Sequence, residues 1–122
     1  MISEKITNKK SYAFALRIIK LYQLLNKEKQ EYVLSKQVLR SGTSIGALVR
    51  EAECAESKPD FIHKLAIANK EANETHYWIM LLRDSELIDL KLANSFLTDC
   101  EEIQKLLNSS IKTAKLNHKN KI

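Results

Sequence analysis

The sequence contains little glycine and proline, the residues on which turns and irregular backbone most depend. Its 122 residues include two glycines and one proline. An all-β fold of this length needs many turns built from Gly, Pro, Asn or Asp, so that fold class is excluded. The glycine-rich phosphate loops G-x-G-x-x-G and G-x-x-x-x-G-K-[ST] are also absent, which argues against a nucleotide-binding enzyme. The composition leaves a few long helices with few connections.

Cysteines, aromatic residues and long apolar runs are scarce as well. No run of 18 apolar residues occurs and the N-terminus does not resemble a signal peptide, so we expect a cytoplasmic protein without a membrane partner. Cys54 and Cys100 form no C-x-x-C pair, and we expect reduced thiols in the core rather than a zinc or redox site. Aromatic residues make up 7% of the chain, too few for a stacking platform.

Apolar residues recur in alternating steps of three and four along most of the chain, which is typical of amphipathic helices packed at a small angle. The stretch 41–46 resembles a loop in isolation, but the apolar stripe continues in phase across it and favours a helix. Ser57 and Asp89 are predicted N-caps. We expect a single domain over residues 1–122, an all-α antiparallel up-down-up-down four-helix bundle. Its helices are predicted at about 9–27, 33–56, 58–83 and 90–116.

Catalytic and metal-ligating patterns are not found. The nearest match to the Glu-x-x-His motif of diiron bundles is Asp60 with His63, and Asp60 is better explained as a residue at the start of a helix. The three histidines are scattered, without a nucleophile arranged around them. We therefore expect no enzyme activity, no cofactor, no metal and no small-molecule substrate.

Positive charge lies at the two ends of the sequence. The chain has 20 basic and 15 acidic residues, and residues 1–29 alone carry seven basic against two acidic side chains. Basic residues share one face of the first helix and one face of the fourth, and these helices are neighbours in an up-down bundle. The two stripes could merge into a strip that binds phosphate backbones, although such stripes are often only solvated faces. The candidate nucleic-acid-binding residues are Lys10, Arg17, Lys20, Lys27, Lys105, Lys112, Lys115 and Lys119.

A second group of charged residues borders the small-residue stripes of the second and third helices. Carboxylates so close to a tight seam need partners, because an unpaired buried charge is costly. We expect an inter-helix or inter-subunit polar network, the alternatives being a solvated surface or a ligand site. Trp78, beside Tyr77, is either an interface anchor or a core residue at the edge of the bundle. The candidate network residues are Arg40, Ser44, Arg50, Glu51, Glu71 and Glu74.

Three stretches carry a family resemblance: 41–52 (SGTSIGALVREA), 56–68 (ESKPDFIHKLAIA) and 70–78 (KEANETHYW). Together they resemble the four helix bundle proteins, also called the 23S rRNA intervening-sequence proteins, most strongly over residues 36–83. The resemblance implies an antiparallel four-helix bundle that forms a homo-oligomer, typically a pentamer, with no enzymatic activity. Some members are encoded within insertions in ribosomal RNA genes. Similar bundles serve as RNA-binding accessory proteins to retroelement reverse transcriptases.

Two functions are consistent with these observations. The first is a homo-oligomer that binds nucleic acid, with RNA favoured, through the basic faces of the first and fourth helices. The second is a protein-interaction or scaffold bundle without a nucleic-acid role, in which Trp78 and the face of Glu71 and Glu74 carry self-association or partner binding.

Overall fold

The described part of the chain forms four α-helices in the computed structural model of the protein. The structure describes residues 2–121, and side chains for residues 5–119. No strand occurs within residues 2–121, and the predicted all-α class is confirmed. Met1 and Ile122, the two ends of the predicted domain, lie outside the described residues. The helices are α1 (Ile2–Lys29), α2 (Leu34–Glu53), α3 (Lys58–Asp84) and α4 (Leu90–Lys121).

The first and last helices, α1 and α4, are longer than the apolar spacing predicts. α1 begins at Ile2 rather than near residue 9, because Thr7 and Ser11 continue its buried face although they are polar. α4 extends to Lys121 rather than to residue 116, since its last turns carry mostly exposed polar side chains that leave no trace in an apolar pattern.

The second helix is shorter than the predicted range 33–56. α2 ends at Glu53, where Cys54 leaves the helical conformation with φ −102° and ψ 18°. Cys54 is exposed at this position, so the prediction of a core thiol is wrong for it. Cys100 is buried, and this burial raises the pKa of its thiol to about 12.

The seam between α1 and α2 depends on two glycines within α2. The stretch 41–46 is helical, as the continuous apolar stripe predicts. A Cβ atom added to Gly42 would lie 2.7 Å from Cγ1 of Ile18, and one added to Gly46 would lie 3.3 Å from the backbone oxygen of Ser11. The Ile18 side chain therefore fills the space that a side chain at Gly42 would need, and the backbone of α1 lies close to Gly46.

Side-chain oxygens cap the N-termini of the last three helices. Ser57 and Asp89 accept hydrogen bonds from the backbone N–H groups three residues further on, at 3.1 and 2.7 Å, as predicted. Glu31 caps α2 in a way that the sequence does not predict, because it lies three residues before the helix. Its carboxylate accepts hydrogen bonds, at 2.8–3.0 Å, from the backbone N–H groups of Val33, Leu34 and Ser35.

The helices run antiparallel around the bundle. In each of the four seams, two residue pairs show that the residue number on one helix rises while that on its neighbour falls, as expected for up-down-up-down topology. α1 contacts α2 and α4, and α3 contacts the same two helices, so α1 and α3 lie diagonally opposite. The pairs are Asn8–Glu53 and Asn26–Ser35, Arg40–Glu71 and Glu51–Lys64, Asn69–Asn108 and His76–Glu101, and Lys10–Glu102 and Arg17–Asp99.

The core fills the space between the four helices. Phe14 of α1 packs edge-on against Phe96 of α4, with their ring centroids 6.1 Å apart. Thr75 of α3 donates a buried hydrogen bond of 2.8 Å to the hydroxyl oxygen of Ser41 in α2. None of the helices described has an 18-residue stretch that is apolar enough to cross a membrane.

Substituting Gly42 with alanine is expected to destabilise the protein by about 1–2 kcal/mol, despite the higher helix propensity of alanine. The added methyl group would overlap both branches of Ile18, a fully buried side chain that has no room to move away. Urea unfolding followed by circular dichroism measures the change in the free energy of unfolding.

The control is the same substitution in an Ile18→Ala background. Removing the Ile18 branches removes the overlap, so Gly42→Ala should then stabilise the protein by up to about 1 kcal/mol through helix propensity alone. A destabilisation of the same size in both backgrounds would contradict the close approach of α1 and α2.

Glu31→Ala is expected to cost about 1–2 kcal/mol of stability at neutral pH, because three backbone donors lose their acceptor. Burial raises the pKa of Glu31, but the three backbone hydrogen bonds outweigh it and bring the pKa below the usual 4.5. The stabilisation is therefore complete above about pH 4.5 and is lost as the pH falls through the folded-state pKa. Thermal melts from pH 7 to 3 should show the gap between wild type and Glu31→Ala closing, whereas the exposed Glu28→Ala should match wild type throughout.

Candidate nucleic-acid interface and polar seams

Two of the predicted nucleic-acid-binding residues form ion pairs within the seam between α1 and α4. Lys10 pairs with Glu102, with 2.7 Å between Nζ and Oε1. The hydrogen bond to Glu102 and the negative charge of its carboxylate raise the pKa of Lys10. Arg17 pairs with Asp99, with 2.7 Å between Nη1 and Oδ2. Lys10 and Arg17, two of the eight cations that the sequence assigns to a phosphate-binding strip, are thus balanced by carboxylates of the neighbouring helix.

Arg17 is held by two further contacts with α4. Its Nη2 donates to the hydroxyl oxygen of Ser95 at 3.0 Å, and its guanidinium carbon lies 4.1 Å from the centre of the Phe96 ring. A planar cation can stack on an aromatic ring and bond to a carboxylate at the same time. Arg17 therefore acts as a link between the two helices, and its donors already have acceptors.

The other predicted basic residues are exposed and form no ion pair within the described part of the chain. They fall into two groups, on either side of the Lys10–Glu102 contact. Lys20 is ten residues beyond Lys10 on α1, and Lys112 is ten residues beyond Glu102 on α4, in opposite directions along the bundle. At about 1.5 Å per residue they are roughly 30 Å apart. The structure does not bring the two stripes together as one strip. The first group is Lys20 and Lys27, and the second is Lys105, Lys112, Lys115 and Lys119.

The second group forms no ion pair within the described residues and lies on a stretch of α4 that has no acidic side chain of its own. Residues 103–122 contain no Asp or Glu, and three of the four lysines recur every seven residues, so they share one side of α4. Ile103, Leu107 and Ala114 are buried along the same stretch and hold the opposite side of the helix against the bundle. The result is a row of four exposed ammonium groups on a rigid support, which we call the α4 lysine row.

Sequence reasoning missed a cluster of cations beside the N-terminal half of α1. Lys5, Lys9 and Arg50 surround Tyr12 in a shallow groove of about 330 Å³ between α1 and α2. Arg50 is therefore separated from the polar network to which the sequence analysis assigns it. The available signal is the absence of Asp and Glu from residues 5–27, a stretch with six basic side chains.

The seam between α2 and α3 joins three of the predicted network residues. Arg40 of α2 pairs with both Glu71, at 3.1 Å, and Glu74. The indole N–H of Trp78 also donates to the Glu74 carboxylate, at 2.9 Å. The Trp78 hydrogen bond and the Arg40 guanidinium lower the pKa of Glu74 against the opposing effect of its burial. Two carboxylates thus share one guanidinium, and the positive charge of Lys70 also acts on Glu74.

Ser44 and Glu51 lie outside this network. The Ser44 hydroxyl donates to the backbone oxygen of Arg40 within its own helix, at 2.6 Å. Glu51 pairs with Lys64 of α3, at 3.3 Å between Oε1 and Nζ, further along the same seam. The Arg40–Glu71 and Glu51–Lys64 pairs both hold α2 against α3, but they are separate from each other.

Trp78 has features both of a core residue at the edge of the bundle and of an interface anchor, the two interpretations that the sequence leaves open. Its ring is half-buried and packs against the core, as expected at the edge of a bundle. Its neighbour Tyr77 is 52% exposed and stacks edge-on against it, with 5.2 Å between ring centroids. The role of Trp78 as an interface anchor stays a prediction.

The described residues contain no cluster of three or more His, Cys, Asp or Glu side chains that could hold a metal ion. Asp60 sits in the first turn of α3, where its backbone N–H donates to Ser57 and its carboxylate accepts from the backbone of Glu56 at 3.2 Å. This agrees with its interpretation as a residue at the start of a helix.

Comparisons with known proteins identify the family. The profile of the 23S rRNA-intervening sequence proteins matches residues 4–109. One similar crystal structure, at 1.70 Å resolution, is of a protein with unknown function from the S23 ribosomal protein family of Bacteroides thetaiotaomicron. It is 54% identical, covers 90% of this chain and 98% of its own, and superposes with a TM-score of 0.89. No curated protein matches the chain.

The family match includes all of α2 and α3, nearly all of α1 and the part of α4 up to residue 109, and the similar structure supports it at high sequence identity. The three sequence stretches on which the resemblance rests lie in α2, α3 and the connection between them. The chain belongs to the 23S rRNA-intervening sequence protein family.

Proposed function

We propose that the protein is a non-enzymatic cytoplasmic homo-oligomer that binds nucleic acid, with RNA favoured, through the α4 lysine row. The observation that carries the proposal is that Lys105, Lys112, Lys115 and Lys119 are exposed on an acid-free half of α4 and form no ion pair with any residue that the structure describes. Lys20 and Lys27 form a second and smaller patch at the other end of the bundle.

Electrostatics supports this choice of surface over the predicted strip. A lysine gains binding free energy from a phosphate mainly by releasing counterions, and it gains less if it must first leave a carboxylate. Lys10 and Arg17 have such carboxylate partners, whereas the α4 lysine row has none among the described residues. The row spans 15 residues, or roughly 21 Å of helix from Lys105 to Lys119, which is long enough to follow several successive phosphates.

The family and its oligomeric state support RNA as the ligand. The family description refers to intervening sequences in 23S rRNA, and the resemblance implies a homo-oligomer, typically a pentamer. Each protomer would repeat the α4 lysine row, so that several weak contacts on one RNA molecule add up to tight binding.

Binding of a fluorescein-labelled single-stranded RNA, followed by fluorescence anisotropy, tests this function. The affinity of the wild-type protein should fall steeply with salt concentration. Replacing Lys112 and Lys115 with Gln should weaken binding of all RNA sequences alike and reduce the slope of log K against log salt by about 1–2. Failure of the wild-type protein to bind RNA or DNA at low salt would contradict the proposal.

Two control variants separate the α4 lysine row from other positive charges. Lys29→Gln with Lys91→Gln removes the same charge from the opposite end of the bundle and should leave the slope unchanged. Arg17→Met should also leave the slope unchanged. It should lower stability by only up to about 1 kcal/mol, because the ion pair that Arg17 forms with Asp99 is partly exposed to water.

A scaffold without a nucleic-acid role is the alternative function, and exposed apolar side chains on α1 favour it. Tyr12, Leu16 and Ile19 are 58%, 49% and 39% exposed on the outer side of this helix. An apolar patch of this kind often marks a protein-protein contact. The scaffold function predicts a stable assembly in which the RNA titration shows no binding at any salt concentration.

A further inference from the structure

α1 carries a second stripe on the side that faces away from the core. Its inner stripe is buried or nearly so and includes Phe14 and Ile18. The outer stripe has the same alternating steps of four and three, and its apolar members are exposed. A helix with apolar residues on two faces normally contacts a partner on each of them. The outer stripe consists of Lys5, Lys9, Tyr12, Leu16, Ile19 and Gln23.

The outer stripe of α1 is basic as well as apolar. Lys5 and Lys9 occupy its first two positions, Arg50 lines the groove beside Tyr12, and none of these three cations forms an ion pair within the described residues. Residues 5–27 contain no acidic side chain, and the neighbouring carboxylate of Glu53 on α2 accepts from Asn8 rather than from a cation. The spacing predicts a helix as the partner, and the charge predicts that this helix is acidic next to its apolar positions.

α3 carries a stripe that meets both conditions, along the groove between α2 and α3. It has the same steps of four and three, and all its members are half-buried. Ile67 and Leu81 are not part of the core cluster, and Glu71 and Glu74 share the single guanidinium of Arg40. The α3 stripe consists of Ile67, Glu71, Glu74, Trp78 and Leu81.

The two stripes match when they are aligned in parallel. In the α1 stripe two lysines precede the apolar residues, and in the α3 stripe Glu71 and Glu74 follow Ile67 and precede Trp78 and Leu81. Setting Lys9 opposite Glu71 places Leu16 opposite Trp78, and one step further it places Ile19 opposite Leu81. In this register each stripe offers the other both an opposite charge and apolar contact area.

The two stripes cannot meet within one chain. α1 and α3 lie diagonally across the bundle and do not contact each other. We propose that the outer stripe of α1 in one protomer docks on the α3 stripe of a second copy of the chain, with Lys9 facing the Glu71–Glu74 carboxylates. This inference rests on the homo-oligomer of the proposed function and names the surfaces that form it.

The charges also determine the symmetry of the contact. Two outer stripes of α1 packed on each other would supply lysines from both copies and no carboxylate to pair with them, which disfavours a two-fold contact. A contact between α1 and α3 uses different surfaces on the two partners, so every protomer can bind one neighbour on each side. Such head-to-tail contacts build assemblies larger than a dimer.

Charge exchange between two variants tests the contact, with molar mass measured by light scattering after size exclusion. Lys5→Glu with Lys9→Glu reverses the α1 side, and Glu71→Lys with Glu74→Lys reverses the α3 side. Each double variant alone should fall towards the 14.0 kDa of one chain. Mixing the two should restore a larger assembly that contains both variants, because each reversed surface then meets a complementary one.

A third variant and a control distinguish loss of this contact from misfolding and from loss of RNA binding. Leu16→Glu changes an exposed position of the outer stripe and should also give single chains, while its circular dichroism and melting stay close to wild type. Lys112→Glu with Lys115→Glu makes the same charge change on α4. It should keep the assembled mass while it loses RNA binding, which separates this contact from the nucleic-acid function.

Three outcomes would overturn the proposal. The first is a wild-type protein that is a single chain in solution. The second is an assembly whose mass is unchanged by Leu16→Glu and by the reversal of Lys5 and Lys9, which would place the oligomer contact elsewhere. The third is a pair of folded charge-reversed variants that do not associate on mixing.

Discussion

The close approach of α1 and α2 at Gly42 is the constraint on which the arrangement of the other surfaces depends. Ile18 fills the space that a side chain at Gly42 would need, so α1 has little freedom to rotate about its axis. In this orientation Lys10 and Arg17 face α4, and Tyr12, Leu16 and Ile19 lie in solvent. The contact at Gly42 therefore helps to decide which cations of α1 form ion pairs and which apolar residues are available to a partner.

Charge is organised by the seams rather than by the helices taken singly. The seam of α1 with α4 balances Arg17 with Asp99, and the seam of α2 with α3 joins Arg40 to Glu71 and Glu74. Surface ion pairs of this kind add little stability one by one. Their larger effect is on the remaining surface, because they decide where uncompensated charge is left. That charge is positive on the second half of α4 and on the outer side of α1, whereas in the groove of α3 two carboxylates share one guanidinium.

The fold could be predicted from the sequence because a bundle needs little more than periodic apolar residues and helix ends. The phase of the stripe through residues 41–46 identified α2, and Ser57 and Asp89 identified the starts of α3 and α4. The helix limits were less accurate where polar residues replace apolar ones, as at Thr7 and Ser11 on the buried face of α1. The Glu31 cap was missed because its carboxylate reaches forward from the preceding loop, where no spacing rule applies.

The sequence by itself determined the four helices, their buried faces and the positions of every charge along them. Only the tertiary structure decided which charges meet. A helical repeat specifies the face of a residue but not the neighbour that lies opposite it, since that depends on the direction of the adjacent helix and on its shift along the axis. For this reason the spacing predicts Arg17 as part of a phosphate-binding strip, whereas in the structure it pairs with Asp99. For the same reason Arg50, which the sequence assigns to one polar network with Arg40, lies with Tyr12 and the lysines of α1.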